Sequence, residues 1–516
     1  MGLGRTWGVS LAGMAAALVE VEARKDPGLP KLRIVGLPDA ALGEAADRVR
    51  ASVMSAGLSW PQARIIVNLS PADQSKHGSM FDLAIAIAIL AAAGELKDPA
   101  AADVVHLGEL GLDGRVHPVR GILPAVAAAV RAGRRQVVVP AQNAAEARLV
   151  PGAQVRSAGH LALLAEHYGA TVPEPALRRA QQAPRPLLFR PESVRPARPP
   201  DLADVLAQSE ARTALEVAAA GGHHLYLVGP PGTGKTMLAC RLPGLLPDLD
   251  DDEAVAVTSV HSLTGTFSPD QGLIRRPPFI DPHHTATPAA IIGGGVGLPR
   301  PGAASRAHHG VLFLDEAPEF STRVLETLRQ PLEHGRVVLD RSRAHATYPA
   351  RFQLVLAANP CPCGNGSGRG LQCHCTAHAR RRYTGKLSGP LLDRIDIQID
   401  VAPPSRAELA SAAPPEATAT VAGRVRAARE RAQHTLGPTR WSRYADVPGS
   451  WLREHTPRSQ ILRTLDRAVD RNTLTLRGKD RVLRLAWTVA ALSGRDAPDG
   501  EDIGRALSLR QRGSDV

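Results

Sequence analysis

One octapeptide constrains this chain more than any other feature of its 516 residues. Gly229-Pro-Pro-Gly-Thr-Gly-Lys-Thr236 matches the pattern G-x-x-x-x-G-K-[ST], follows the apolar stretch 225–228 and opens a predicted helix. Strand, glycine-rich turn and helix are the context that this phosphate-binding motif requires, because its backbone N–H groups close around phosphate oxygens. We expect Lys235 to reach the β- and γ-phosphates of ATP. The predicted nucleotide-binding residues are Gly229, Pro230, Pro231, Gly232, Thr233, Gly234, Lys235 and Thr236.

A second apolar stretch, Gly310-Val-Leu-Phe-Leu-Asp-Glu316, predicts a buried strand that ends in two carboxylates. We expect Thr236 and Asp315 to hold Mg²⁺, and Glu316 to orient and polarise the attacking water. A strand that ends in Asp-Glu is often only a solvated strand end. Its position downstream of a phosphate-binding loop favours the catalytic interpretation here.

Composition excludes several classes of protein. Lys and Arg number 62 against 50 Asp and Glu, and the resulting net charge of +12 suits a polyanionic partner. An apolar fraction of 44% excludes a wholly disordered chain. The longest apolar run, 83–93, is too short to span a bilayer, so we expect no membrane span and a cytoplasmic location. Five cysteines are too few for a disulfide scaffold.

The pattern of the chain predicts an α/β protein with three domains and one linker. Residues 1–172 mix strands, such as 65–69 and 136–140, with the predicted helices 81–93 and 123–132. Residues 173–200 contain eight prolines among arginines, which predicts an extended linker. Strands alternate with helices in 201–402, which predicts a parallel sheet, and 403–516 reads as an Arg-rich helical domain.

The phosphate-binding loop, Asp315-Glu316 and Asn359 after the predicted strand 352–358 together resemble the AAA+ ATPases. The resemblance implies that Asn359 senses the γ-phosphate. It also implies that Arg394, in Ser388-Gly-Pro-Leu-Leu-Asp-Arg-Ile-Asp396, is an arginine finger supplied to a neighbouring subunit. Arg477, in Thr475-Leu-Arg477, resembles the second sensor arginine, and Arg481 and Arg484 are the competing candidates.

Further motifs resemble the ComM/YifB family of bacterial magnesium-chelatase-like AAA+ proteins. They are Ile34-Val-Gly-Leu-Pro-Asp39, Val67-Asn-Leu-Ser-Pro-Ala-Asp73, Asp281-Pro-His-His-Thr285, Arg329-Gln-Pro-Leu-Glu333 and Asn359-Pro-Cys-Pro-Cys-Gly364. The family implies a Lon-protease-like N-terminal domain, an AAA+ core and a C-terminal helical lid. It also implies a hexameric, ATP-driven DNA motor of the branch-migration helicase type, which acts on joint or branched DNA in recombination and natural transformation. Recombination proteins are then candidate partners.

Two other activities are alternatives, of which the first stays open and the second is disfavoured. A magnesium-chelatase-type motor subunit would act on a protein partner during metal insertion into a tetrapyrrole. A Lon-type peptidase would need a Ser nucleophile activated by a Lys. Met80 aligns with the nucleophile, although Ser79 is only one residue away, and Leu123 aligns with the lysine. We therefore predict no peptidase activity.

Four of the five cysteines crowd into fifteen residues as Cys361-x-Cys363 and Cys373-x-Cys375. Thiolates at such spacing can converge tetrahedrally on Zn²⁺, and His374 and His378 are substitute ligands. A reduced, metal-free loop is the alternative. In the reducing cytosol a metal is favoured over disulfides.

The stretch from Gly335 to Tyr348 predicts two short strands around a polar turn that carries Arg341 and Arg343. By resemblance this hairpin enters the pore of related ring motors, where both arginines would grip DNA phosphates; a solvated turn is the alternative. A second basic patch, Arg380-Arg-Arg-Tyr383, includes an aromatic side chain. His283 and His284, in the 281–287 loop, suggest hydrogen bonding more than metal ligation.

Overall fold

The structure is a computed structural model that describes residues 2–36, 44–71, 76, 78–184, 200–295, 299–341, 344–366, 373–411, 414–437, 439–457, 460–471 and 474–510. None of the helices in these ranges is both long and apolar enough to cross a membrane.

The N-terminal domain is built on a seven-stranded mixed sheet with the spatial order β3-β4-β2-β1-β5-β8-β9. Its strands are β1 (Gly2–Ala12), β2 (Ala15–Asp26), β3 (Lys31–Val35), β4 (Arg64–Ser70), β5 (Val105–His106), β8 (Gln136–Pro140) and β9 (Gln154–Ala158), with a separate pair of β6 (Glu109–Leu110) and β7 (Val116–His117). The described helices are α1 (Ala45–Ser55), α2 (Asp82–Ala93), α3 (Ile122–Arg131), α4 (Ala144–Ala147), α5 (Leu161–His167) and α6 (Glu174–Gln182). The four elements predicted in this domain are therefore present.

Helix α2 is the central helix of the N-terminal hydrophobic core, and other helices and strands have to cover it. Its sequence is apolar on every side, and ten of its residues are buried. A helix that is apolar all round is stable only inside a core. Strands β1 and β2 pack on it, and Gly4 of β1 lies so close that an added Cβ would overlap the Ala88 carbonyl.

The linker expectation is wrong at its N-terminal end, because α6 occupies 174–182 where an extended chain was predicted. Pro175 stands in the first turn of the helix, where no backbone N–H is needed, so proline is tolerated there. Ala176, Leu177 and Ala180 are buried, so α6 belongs to the N-terminal domain. The rest of the proline-rich stretch, 185–199, lies outside the described residues.

The central domain confirms the predicted parallel sheet, with five strands in the order β11-β14-β17-β10-β18. Its strands are β10 (Leu225–Val228), β11 (Phe279–Ile280), β14 (Val311–Leu314), β17 (Gln353–Ala358) and β18 (Ile397–Asp400), and two small antiparallel pairs are formed by β12 (Gly293–Gly294) with β13 (Arg300–Pro301) and by β15 (Arg336–Arg341) with β16 (Ala344–Pro349). Its helices are α7 (Ser209–Gly221), α8 (Lys235–Ala239), α9 (Leu242–Leu245), α10 (Asp251–Thr264), α11 (Pro288–Ile292), α12 (Ala303–Arg306), α13 (Thr322–Thr327), α14 (Arg329–His334), α15 (Ala377–Thr384) and α16 (Gly389–Leu392).

The C-terminal domain is helical, as predicted. Its helices are α17 (Arg406–Ser411), α18 (Thr418–Leu436), α19 (Gly449–His455), α20 (Gln460–Asp470), α21 (Leu476–Leu492) and α22 (Gly500–Ser508). Buried side chains of α18 and α21 share one hydrophobic cluster with Leu225 and Phe313 of the sheet. The lid therefore packs on one face of the parallel sheet.

Candidate nucleotide site and cysteine centre

Residues 229–236, called the phosphate loop here, connect the fully buried strand β10 to α8. The Gly229 N–H donates to the Ala358 carbonyl at 3.1 Å, which ties the start of the loop to the end of β17. Gly232 and Gly234 have φ values of 78° and 85°, a left-handed conformation that side chains strongly disfavour. The conformation of the loop thus depends on glycine at these two positions.

Lys235 is the second-last residue of the phosphate loop. Its side chain folds back into the loop, and only 8% of the residue is exposed to solvent. Its Nζ donates to the carbonyls of Gly229 at 2.7 Å and Pro230 at 2.8 Å, and to Asn359 Oδ1 at 3.2 Å. Burial lowers the pKa of Lys235, against the opposing effect of the Asp315 and Glu316 charges. The loop lysine and the predicted γ-phosphate sensor therefore meet at one point.

The predicted Mg²⁺ ligands also meet, because Thr236 Oγ1 donates to Asp315 Oδ2 at 2.6 Å. A hydroxyl and a carboxylate oxygen are hard ligands of the kind that Mg²⁺ prefers in nucleotide sites. Asp315 follows β14 and the phosphate loop follows β10, so both lie at the carboxyl ends of the two strands that flank β17. The residues present fit the ion.

Glu316 occupies a strained position next to Asp315. Its φ is 48°, a left-handed conformation in a residue that is not glycine. About half of its side chain is exposed, and Oε2 lies 3.6 Å from His284 Nδ1. The Glu316 carboxylate thus faces solvent beside the predicted Mg²⁺ ligands, and His284 lies next to a predicted catalytic group.

Sequence reasoning missed Gln208, which braces the phosphate loop from outside the motif. Its side-chain amide donates to the Thr233 carbonyl at 2.8 Å. Ala207 and Gln208 both have left-handed φ values, 55° and 51°. The Gln208 Oε1 is buried and has no hydrogen-bond partner among the described residues. No spacing rule marked this residue.

Arg394 and Arg477 lie together, away from the phosphate loop. Both line a cavity of about 280 Å³, which we call the arginine cavity. The arginine cavity is lined by Leu332, Glu333, Asp393, Arg394, Arg477, Asp480, Arg481 and Arg484. Arg394 precedes β18, whereas the phosphate loop follows the parallel strand β10, so the two sites lie at opposite edges of the sheet. Arg394 donates to Glu333 at 3.0 Å and to the Pro390 carbonyl at 2.7 Å.

The competing arginines of α21 have internal partners. Arg481 donates to Asp396 Oδ1 at 2.6 Å, and Arg484 donates to the Val447 carbonyl at 2.8 Å. Arg477, one turn earlier, is exposed. This difference favours Arg477 as the arginine that reaches another molecule.

Asp396 joins the lid to the sheet. Its Oδ2 lies 3.1 Å from His223 Nδ1, and His223 Nε2 lies 2.8 Å from Thr488 Oγ1 of α21. Burial alone would raise the pKa of Asp396, but the hydrogen bond from His223 and the charge of Arg481 hold that pKa well below its usual range. The carboxylate is therefore a charged, buried link between two domains.

The four predicted zinc ligands, called the cysteine centre here, converge as expected from the sequence. Sγ–Sγ distances are 3.3 Å for Cys361–Cys363, 3.6 Å for Cys361–Cys373 and 3.8 Å for Cys363–Cys373. Cys375 is the fourth member, and all four sulfurs lie within 4.8 Å of one another. Four Zn–S bonds of about 2.3 Å in a tetrahedron place the sulfurs about 3.8 Å apart. The arrangement fits a Zn²⁺ site, in which neither His374 nor His378 is needed.

The cysteine centre touches the nucleotide site on two sides. Gly364 lies so close to the phosphate loop that an added Cβ would stand 2.6 Å from Pro231 Cδ. Tyr383, on the helix that follows Cys375, is hydrogen-bonded to the backbone of Asn359. A change in the conformation of the cysteine loop would therefore affect both the phosphate loop and the predicted sensor Asn359.

The structure corrects one part of the predicted DNA surface. Tyr383 is only 5% exposed, because it packs toward Asn359, so the aromatic ring of the 380–383 patch is not available to stack on a base. The 336–349 hairpin is present as predicted. Arg343 lies outside the described residues, as does the side chain of Arg341, so the structure places neither guanidinium.

In the N-terminal domain, Met80 and Leu123 lie in the same hydrophobic cluster. Both positions aligned with a Ser/Lys dyad thus carry buried apolar side chains. The hydroxyl of Ser79 donates to the Glu109 carboxylate. The absence of peptidase activity stays a prediction.

Comparison with known proteins gives three family models along the chain. "Subunit ChlI of Mg-chelatase" matches 19–143, "Magnesium chelatase, subunit ChlI" matches 201–409, and "Magnesium chelatase, subunit ChlI C-terminal" matches 415–510. Together with the phosphate loop on a parallel sheet, these matches define an AAA+ ATPase of the magnesium-chelatase-like class.

Relatives that match almost the whole chain identify the family within this class. An uncharacterised protein of Mycobacterium tuberculosis is 50% identical over 516 residues, which is 100% of both chains. YifB of Escherichia coli, described as uncharacterised, is 39% identical over 500 residues, 96% of this chain and 95% of YifB. Competence protein ComM of Haemophilus influenzae is 36% identical over 499 residues, with the same two shares. The chain belongs to the ComM/YifB family.

Two partial matches bear on the separate domains. Lon protease 2 of Bacillus subtilis is 31% identical over 153 residues, 28% of this chain and 27% of the protease, which supports the Lon-like fold expected from sequence. The magnesium-chelatase 38 kDa subunit of Rhodobacter capsulatus is 24% identical over 345 residues, 59% of this chain and 85% of that subunit. Both likenesses are weaker than those to YifB and ComM.

Proposed function

We propose that this protein is an ATP-driven DNA motor that works as a homo-hexamer in the cytoplasm and moves joints or branches in recombining DNA. Natural transformation is the proposed setting, and recombination proteins are the proposed partners. The main support is the full-length likeness to a competence protein, together with a nucleotide site whose arginines lie at the far edge of the sheet.

Hydrolysis requires the groups at the phosphate loop to act on one ATP. Lys235 would neutralise phosphate charge, Thr236 and Asp315 would hold Mg²⁺, which would supply further positive charge to the phosphates, and Asn359 would contact the γ-phosphate. Glu316 orients the attacking water and accepts its proton. These roles agree with the short distances between Lys235, Asn359, Thr236 and Asp315.

Arg394 and Arg477 are proposed to complete the site of the next subunit. Within the described residues, neither guanidinium has a hydrogen bond or ion pair to the phosphate loop of its own chain. A ring places one edge of each sheet against the opposite edge of the next, so a neighbour's γ-phosphate can meet both arginines. An arginine supplied in trans stabilises the charge that develops on the transferred phosphoryl group.

DNA binding is proposed for the tip of the 336–349 hairpin, where Arg341 and Arg343 would contact phosphates. Zn²⁺ is proposed as the structural ion of the cysteine centre, held by Cys361, Cys363, Cys373 and Cys375. The ion would fix the loop that lies between the sensor Asn359 and Arg394.

A magnesium-chelatase-type motor is the second candidate, because the matching family models are named for that enzyme. Against it, the chelatase subunit aligns with 59% of this chain and ComM with 96%. A third candidate, an ATP-dependent protease, is disfavoured by Met80 and Leu123.

The deciding experiment measures ATP hydrolysis without DNA, with single-stranded DNA and with a three-way junction, using Glu316→Gln as the inactive control. Stimulation by DNA, together with ATP-dependent strand displacement, is the expected result. Hydrolysis that is indifferent to every DNA would contradict the motor proposal and favour the chelatase-type alternative.

A further inference from the structure

The Lon-like domain touches the 336–349 hairpin through a single turn. Gly13 and Met14 join β1 to β2, with Ala12 paired to Ala15. The Met14 N–H donates to the Thr347 carbonyl at 3.1 Å, and Gly13 forms a parallel bridge to Thr347. The turn thus adds a short piece of backbone to the outer strand of a hairpin in another domain.

Packing reinforces this backbone contact. The Met14 side chain packs against the hydrophobic cluster of the ATPase core that includes Leu339 and Ala346 of the hairpin. Gly13 has a φ of 71°, and an added Cβ there would lie 2.8 Å from the Thr347 carbonyl oxygen and 3.0 Å from its nitrogen. Glycine at this position is required by the closeness of the two backbones as well as by the turn.

The contact lies at the middle of the outer strand of the hairpin. A cavity of about 580 Å³ lies beside it, lined in part by Met14, Ala15, Arg336 and Thr347. In the hairpin register Thr347 pairs with Val338, three positions before the closing pair Arg341–Ala344. Three residues of a strand span about 10 Å. The contact at Thr347 and the closing pair Arg341–Ala344 thus lie on one short, continuously paired hairpin.

A separate contact holds the domain to the ATPase core elsewhere. Ser262 of α10 donates to the buried Glu146 carboxylate, and Phe267 belongs to the same hydrophobic cluster as Leu123. Gly121 of the N-terminal domain lies against Leu263. Disturbing the Gly13–Met14 turn therefore leaves the N-terminal domain attached.

We propose that the Gly13–Met14 turn is a strut that sets the position of the 336–349 hairpin, so that the Lon-like domain serves the motor by aiming its DNA-contacting tip. This inference rests on the proposed DNA role of the hairpin. The Lon-like domain would thus have a positioning role, and this role does not depend on a peptidase site.

The test compares two glycine variants of the full-length protein. Gly13→Ala forces a Cβ onto the Thr347 backbone. Gly133→Ala is the matched control, because Gly133 has a similar φ of 83° but no heavy atom would lie within 4 Å of an added Cβ. Both variants thus carry the same kind of backbone strain, and only the first touches the hairpin.

Three readouts are measured on both variants: hydrogen exchange of the Met14 amide and the hairpin amides, basal ATP hydrolysis, and the DNA concentration that half-activates hydrolysis. With Gly13→Ala we expect faster exchange at both places and basal hydrolysis within about twofold of the unmodified protein. The half-activating DNA concentration should rise about fivefold at 0.1 M salt, the effect of one lost phosphate contact. Gly133→Ala should leave all three unchanged.

Unchanged hairpin exchange, or unchanged DNA activation, in Gly13→Ala would overturn the strut. Equal effects from Gly133→Ala would also overturn it, because they would reflect strain in the domain alone. An Arg341→Ala variant separates the two proposals. If that variant binds DNA normally, the DNA role of the hairpin is wrong, and the strut is then decided by the exchange of the hairpin amides.

Discussion

Removing one ligand of the cysteine centre should weaken ATP binding although no cysteine is a predicted nucleotide contact. The perturbation is Cys363→Ser. The three Sγ–Sγ distances among Cys361, Cys363 and Cys373, 3.3 to 3.8 Å, are equal to or slightly shorter than the S–S edge of a zinc tetrahedron. We therefore expect about one zinc per chain in protein purified under reducing conditions without chelator, and a large loss of zinc from the variant.

The size of the effect on ATP follows from the loop that the ion closes. Cys361 and Cys373 are 12 positions apart. Without the ion, ordering a loop of that length costs on the order of 2 kcal/mol. Since Gly364 of this loop abuts Pro231, ATP binding has to supply that ordering itself. The dissociation constant of ATP should then rise by up to about 30-fold, as 1.4 kcal/mol corresponds to a factor of ten.

The assays are elemental analysis for zinc and titration with a fluorescent ATP analogue. Cys240→Ser is the matched control, because Cys240 follows α8 and lies outside the cysteine centre. Fewer than about 0.2 zinc per chain in the unmodified protein would refute the metal site, for which full loading is one per chain. Full zinc loss with unchanged ATP affinity would refute the link to the phosphate loop.

Three further predictions concern the other parts of the site. Arg394→Ala should lower ATP hydrolysis by about 10³-fold. Mixing this variant with Lys235→Ala chains should restore part of the rate, because each variant keeps the half-site that the other lacks. No rescue at any mixing ratio would contradict catalysis between subunits. Asp396→Asn should cost about 3 kcal/mol of unfolding free energy, because Arg481 loses its buried partner. Since folding lowers the pKa of Asp396 well below its unfolded-state value, its contribution should be complete at neutral pH, begin to fall below about pH 4 and be lost only as pH approaches the lowered pKa; urea titrations at pH 7 and about pH 2.5 test this, and an equal cost of the substitution at both would contradict it. Replacing Arg341 and Arg343 with Ala should flatten the salt dependence of single-strand binding by about 1.4 in log–log slope, with basal hydrolysis intact, and an unchanged slope removes them from the DNA surface.

The nucleotide site was largely predictable because its chemistry is local in sequence. A strand, a glycine-rich turn and a helix need only consecutive residues, and Asp315 and Asn359 follow strands whose carboxyl ends must meet in a parallel sheet. The cysteine centre was predictable for the same reason, since two short C-x-C pairs bracket a glycine-rich loop.

Features that depend on contacts between distant segments were not predictable. Gln208 braces Thr233 through a turn with two left-handed residues, and no pattern in the sequence marks such a turn. Helix α6 was taken for linker because proline composition outweighed three apolar residues that the N-terminal domain buries. Tyr383 looked like part of a basic surface until its packing against Asn359 was visible. The contact between Gly13 and Thr347 joins residues more than 300 positions apart.

Glu316 shows that the active site is not the most stable arrangement of its own backbone. A non-glycine residue held at a φ of 48° costs on the order of 1 kcal/mol, and the surrounding strand and turn supply that energy. Replacing Glu316 with glycine would remove this conformational cost. The protein should then melt about 1 °C higher while hydrolysing no ATP. Selection for thermal stability alone would therefore remove the residue on which turnover depends, so the presence of glutamate at this turn is a mark of selection for activity.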